Sequence, residues 1–347
     1  MSTVPLSVLD LAPIREGGTP AQALRETLEL ARLADRLGFH RYWLAEHHNI
    51  AGVASSATAV LMGQVAAATS RIRVGSGGIM LPNHAPFTIA EQFGTLDALH
   101  PGRIDLGVGR APGSDLMTSY ALRRNQKGSQ EFPVELAELR EFLAPARADQ
   151  PVIARPGAGA DVPIFVLGSS DVGARLAAAE GLGYAFAAHF SPRMMLDALR
   201  LYREGFVPAP AGAAGGRAEP YAILGTYVLV ADTDEEAEWL FTSTKQKHTA
   251  FIRSRPAPLP PPRELDAAYW SPLERNTING QLREAVVGSP STVRRGLQEL
   301  LDRTGADELI VASEAFDPAA RRRSYELLAE VAGDLSSTRQ LVSAQQG

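Results

Sequence analysis

Cysteine is absent from all 347 residues, which excludes disulfides, thiolate metal sites and a cysteine nucleophile. No stretch reaches the ~18 apolar residues of a membrane-spanning helix. The N-terminus also lacks the basic segment and apolar core of a secretory signal. Long lysine or arginine runs are missing too, and the formal net charge is −5. A cytoplasmic protein is therefore expected, without nucleic acid or membrane as a partner. The one basic triplet, Arg321-Arg322-Arg323, reads as a solvated helix face. What the chain does have is 45% hydrophobic residues, enough for a large core.

Apolar runs of strand length fall at 6–11, 40–45, 72–80, 103–108, 164–167, 184–188, 221–230 and 308–312. A helical pattern follows each. After the first, Thr19 and Pro20 open a helix in which Leu24, Leu28, Ala31 and Leu37 recur until Gly38 stops it. Continuous rather than alternating apolar runs indicate strands covered on both faces. Eight such units predict a (β/α)8 barrel. A single domain over 1–335 is expected, interrupted at about 111–161 and 253–281, with a polar, frayed tail over 336–347. The second insertion carries Pro256, Pro258 and Pro260-Pro261-Pro262, and reads as an irregular loop over a site.

In such a barrel the residues just after each strand share one face. This places Asp10, Glu46, His47, Gly78, Arg110, Ser169 and His189 around a single mouth. At the tip of the second strand stands Glu46-His47-His48. Neighbours on an extended chain point to opposite sides, so one imidazole can face the mouth and titrate near neutral pH. Two structural histidines account for the same letters. Neither His-Glu-x-x-His nor His-x-x-Glu-His occurs, and no metal is expected.

Val74-Gly75-Ser76-Gly77-Gly78-Ile79 puts three glycines near a strand end, where close backbone approach or a bulge requires them. A flat ring against the main chain is one such requirement. The run from Gly107 to Gly113 has the wrong spacing for a dinucleotide fingerprint, and Pro112 denies it a helix start. It leaves Arg110, a guanidinium suited to phosphate or to a structural ion pair. Gly168-Ser169-Ser170-Asp171-Val172-Gly173 ends a strand and opens a helix. Its hydroxyls and free N–H groups suit an anion, and helix capping explains them equally.

Together these motifs resemble the bacterial luciferase-like, flavin-dependent monooxygenases, over most of the chain. The resemblance rests on Glu46-His47-His48, on Val74 to Pro82, on Gly107 to Arg110 and on Gly168-Ser169-Ser170. It implies that His47 lines the isoalloxazine site as the catalytic imidazole, with Glu46 orienting it. It implies a cis peptide at Gly77-Gly78 beneath the ring, with Ser76 alongside. The phosphate would be held by Arg110, Ser169 and Ser170. Gly173 replaces a hydroxyl common in that loop and leaves only its backbone N–H, and Gly109 stands where the light-emitting enzymes carry a reactive cysteine. The implied activity is a monooxygenase using reduced FMN, delivered by a separate reductase, and O2 on a small organic substrate such as an aldehyde or ketone. A flavin hydroperoxide would need shielding from water, a role for the 253–281 loop as a lid. The alternatives are deazaflavin (F420) hydride transfer, whose enzymes usually carry Asp-His at this strand tip, and flavin binding without turnover. A homodimer through helices 55–70 and 86–99 is also implied.

Overall fold

The computed structural model describes residues 2–111, 115–122 and 129–337. Eight strands form its centre: β1 (Leu6–Asp10), β2 (Arg41–Leu44), β3 (Arg73–Ser76), β4 (Ile104–Gly109), β5 (Ile164–Gly168), β6 (Gly183–Ala187), β7 (Ala222–Val230) and β8 (Glu308–Ala312). Each pairs in parallel with its sequence neighbours, and β8 pairs with β1, so the sheet closes into the expected barrel. Every residue of β7 is buried, as a strand covered on both faces must be.

The helices are α1 (Pro20–Leu37), α2 (Thr58–Ala68), α3 (Pro86–Leu99), α4 (Leu116–Leu122), α5 (Phe132–Leu143), α6 (Asp171–Ala179), α7 (Met195–Glu204), α8 (Asp234–Ile252), α9 (Pro272–Gln281), α10 (Pro290–Thr304) and α11 (Pro318–Ala332). Local chemistry sets several of their ends. Thr19 and Gln22 make a reciprocal capping box before α1, and Gly38 closes that helix at φ 83°. Sequence reading treats 253–281 as irregular throughout, but its second half is α9. Ser271, Pro272 and Glu274 form a capping box there, a start signal that the proline-rich front obscures. Ser336–Ser337 pairs antiparallel with Ser2–Thr3, and the rest of the polar tail, 338–347, lies outside the described residues.

Two buried polar networks set the barrel's ends. At the N-terminal end Arg41 reaches both oxygens of Glu308 (3.0 and 2.9 Å) and Asp105 (2.7 Å), while Arg73 holds the other Asp105 oxygen at 2.6 Å. Ser7 and Tyr221 also donate to Glu308. At β1, Asp10 departs from the expected mouth position. It turns outward into the helix layer, where Thr27 (2.7 Å), Tyr42 (2.5 Å) and Arg321 (2.8 Å) donate to it. Arg321 is therefore buried, not part of a solvated face; Arg322 and Arg323 do stay at the surface, near Glu29 and Asp232. Between the ends, Trp43 packs edge-on to Phe165 at 5.2 Å and fills the barrel interior with Leu9, Ile223 and Ile310.

Candidate active site

A cavity of about 1520 Å³ opens at the C-terminal ends of the strands. Small-ligand pockets occupy ~300–1,000 Å³, so this one has room for a cofactor and a substrate together. His47, Gly77, Gly78, Arg110, Ser169, Ser170, Gly173 and His189 all line it, although they come from five different strand tips. Pro256, Ala257, Asn276 and Gln281 bring the second insertion to its edge, and Asp115, Gln130 and Phe132 bring the first.

The floor is bare backbone. A Cβ on Gly77 would lie 2.6 Å from Leu9 Cδ1, and one on Gly78 would lie 2.7 Å from the Gly107 carbonyl oxygen. Neither position admits a side chain, which leaves a flat surface facing the cavity. The Gly77-Gly78 peptide is cis. Ser76 is the exception among the ring-floor residues: it is buried away from the cavity. Its hydroxyl donates to the Gly107 carbonyl (2.8 Å) and accepts the Gly107 N–H (3.0 Å), so it ties β3 to β4 and is not available to a ligand.

Glu46 also differs from expectation. It is buried and does not line the cavity, and it makes no hydrogen bond to His47. Its carboxylate accepts from His48 (2.8 Å), His84 (2.9 Å) and the Met80 N–H (3.1 Å). Burial opposes its ionisation, but these donors outweigh burial and hold the carboxyl at about 2. The physical reason is the alternation of an extended chain: position 46 turns under the floor while position 47 turns to the cavity.

The His47 backbone N–H donates to Ser55 O at 3.0 Å. Its Nδ1 is buried and unpartnered. Burial, then the nearby Lys247 cation, pushes the imidazole down to about 4, so it is neutral at pH 7 and does not titrate near neutrality as the sequence suggests. His248 is lowered to about 4 by the same two causes, and burial also lowers His189. Lys247 is itself paired with buried Glu314 at 2.6 Å. The Lys247–Glu314 pair and His248 were not among the residues expected from sequence. Glu314 follows the last residues of β8, so the strand-tip rule reaches it. Lys247 and His248 lie in the middle of a long helix, where only packing reveals them.

Arg110, at the tip of β4, is exposed and makes no hydrogen bond or ion pair with any described residue. Ser169 and Ser170 lead into α6. Ser170 is its N-cap residue but makes no side-chain cap bond, so its hydroxyl is not consumed as a cap. Asp171 points to Arg175 (3.7 Å), away from an anion in the loop. A Cβ at Gly173 would meet only ordinary contacts, 3.7 Å from Tyr184.

A sequence-family model described as luciferase-like monooxygenase matches residues 4–308. A protein of Escherichia coli (strain K12) named luciferase-like monooxygenase is 47% identical over 335 residues, 96% of this chain and 98% of the relative. Among solved structures, apo-MsnO8 is similar with a TM-score of 0.84 at 39% identity, covering 96% of this chain and all of that one (100%). The oxygenating constituent of 3,6-diketocamphane monooxygenase from Pseudomonas putida, a type II Baeyer–Villiger enzyme in complex with FMN, shares the fold. Its TM-score is 0.70 at 20% identity, covering 96% of this chain and 100% of that chain.

Proposed function

The chain belongs to the luciferase-like monooxygenase family of oxidoreductases, and from there we propose that its cavity takes reduced FMN and O2 and oxygenates a small organic substrate. One observation carries this reading. A side-chain-free glycine floor, a guanidinium with no partner among the described residues and a hydroxyl loop without a side-chain cap line the same cavity, as a flat ring with a phosphate tail requires. When bound, the reduced flavin supplies the electrons that activate O2. Arg110, Ser169, Ser170 and the N–H groups opening α6 would hold the phosphate. Gly77 and Gly78 would support the ring. His47, neutral at pH 7, presents a hydrogen-bonding imidazole beside it. The second insertion excludes water.

The test is a titration of the protein with FMN and with F420, followed by analysis for oxygenated products when NADH, a flavin reductase, O2 and a panel of aldehydes and ketones are supplied. FMN should bind and F420 should not; tighter F420 binding would favour hydride transfer instead. Arg110→Ala removes charge-assisted bonds of ~1.5–3 kcal/mol, so FMN affinity should fall roughly ten- to hundredfold. An unchanged affinity would remove Arg110 from the phosphate site. FMN binding without oxygenated product from any substrate would leave the non-catalytic reading. Among the described residues, no helix is long and apolar enough to cross a membrane.

We further propose that a second copy of the chain packs against α2 and α3. The outer side of α2 carries no charge, Val60 on it is 70% exposed, and Leu99 at the end of α3 is 67% exposed. Val60→Asp should convert a dimer to monomer in sedimentation velocity. A wild-type protein that already sediments as a monomer would sink this arrangement.

A further inference from the structure

Beneath the glycine floor, three potential metal-ligand atoms meet: an oxygen of Glu46 and one ring nitrogen each of His48 and His84, all within 4.8 Å of one another. Nε2 of His48 and Nε2 of His84 approach the same Glu46 oxygen, Oε1, at 2.8 and 2.9 Å. We infer that Glu46, His48 and His84 form a site for a zinc-class divalent cation, with two imidazoles and one carboxylate as ligands. This inference stands apart from the flavin reading and does not depend on it.

Several features fit. Bonds of ~2.0–2.1 Å to three ligands in tetrahedral geometry set ligand–ligand edges of about 3.3 Å. Each ring nitrogen therefore stands about half an ångström nearer to Glu46 Oε1 than two ligands of one ion would, a difference within side-chain freedom. Two histidines and a carboxylate leave a position open, a donor set suited to borderline first-row ions. The second carboxylate oxygen of Glu46 accepts the Met80 N–H at 3.1 Å, an outer contact of the kind that orients a ligating carboxylate. Entry is open as well, since the side chains of His48 and His84 keep 14% and 27% exposure and His48 lines the cavity. No linear motif announces the site, because His84 arrives from the turn after β3. An ion here would pin the tip of β2 to the segment that follows Gly77-Gly78. It would thereby fix the floor of the cavity and the segment carrying His47.

Hydrogen bonding alone also satisfies these three atoms, and the experiment separates the two. Chelator-stripped, flavin-free full-length protein is titrated with ZnCl2 by calorimetry and equilibrium dialysis near pH 7.5. One ion per chain is expected. Affinity should fall at least tenfold in Glu46→Gln, His48→Ala and His84→Gln, and stay unchanged in His47→Ala. His84→Gln is the decisive variant, since its amide can still donate to Glu46 but cannot replace the imidazole ligand. Circular dichroism confirms that each variant is folded, and His48→Gln serves if His48→Ala is not. Co2+ in place of zinc should give d–d absorption that His84→Gln abolishes. Binding well below one ion per chain, or zinc affinity that survives these replacements, would overturn the site in favour of a purely hydrogen-bonded clamp.

Discussion

Replacing His47 by alanine should lower turnover by roughly a hundred- to a thousandfold and leave FMN affinity nearly unchanged. The imidazole lines the cavity, yet its buried Nδ1 has no partner among the described residues. The fold therefore gains nothing obvious from that nitrogen, and an unsatisfied buried polar atom is a cost carried for some other purpose. Burial and Lys247 keep the ring neutral, so its contribution is a fixed hydrogen bond to charge that develops beside the flavin, not a proton held ready at pH 7. The phosphate residues lie on other strand tips, so the variant should separate chemistry from binding. Fluorescence titration gives the FMN affinity, and coupled NADH oxidation with product analysis gives turnover. Unchanged turnover would take His47 out of the mechanism. Loss of FMN binding in parallel would make it a cofactor ligand instead.

Arg41→Met should destabilise the protein by about 3–5 kcal/mol, measured by urea unfolding, because it strands Glu308 and Asp105 in the interior without their shared cation. Adding Glu308→Gln to the variant should recover part of the loss; simple additivity would show that the two groups do not interact. The pH dependence has a definite sign. Burial raises the Asp105 carboxyl, but Arg41 and Arg73 together bring it below its ordinary 3.8. A lowered carboxyl contributes stability that is present above 3.8 and is lost as pH falls below it. The gap between wild type and Arg41→Met should therefore narrow on acidification, because the Asp105 carboxyl, stranded without its cation, takes up a proton before the wild-type one does. A gap independent of pH would assign the loss to packing of the arginine stem over Phe165, 5.1 Å from its guanidinium, rather than to charge.

The barrel was legible because its signals are local. Apolar runs such as 308–312 and caps such as Thr19 and Gly38 act within a few residues, and β8 spans Glu308–Ala312 as expected. His47, Gly78, Arg110, Ser169 and His189 could be placed because strand tips in a closed parallel barrel must share a rim, and Gly77, Ser170 and Gly173, which the resemblance implied, line the same cavity. The misplacements arose from direction. Asp10, Glu46 and Ser76 sit at strand ends as expected, but each turns its side chain into the wall or under the floor. Arg321 looked like surface charge until Asp10 proved to be its buried partner.

Period, length and turn chemistry thus marked out eight strand–helix units, whereas closure into a barrel is decided by the pairing of β8 with β1. Only the tertiary structure decided which imidazole faces the cavity, that Glu46 serves His48 and His84, and that Lys247 stands near His47. These outcomes depend on burial and on partners distant in sequence, and a one-residue change of facing on a pleated strand exchanges wall for mouth.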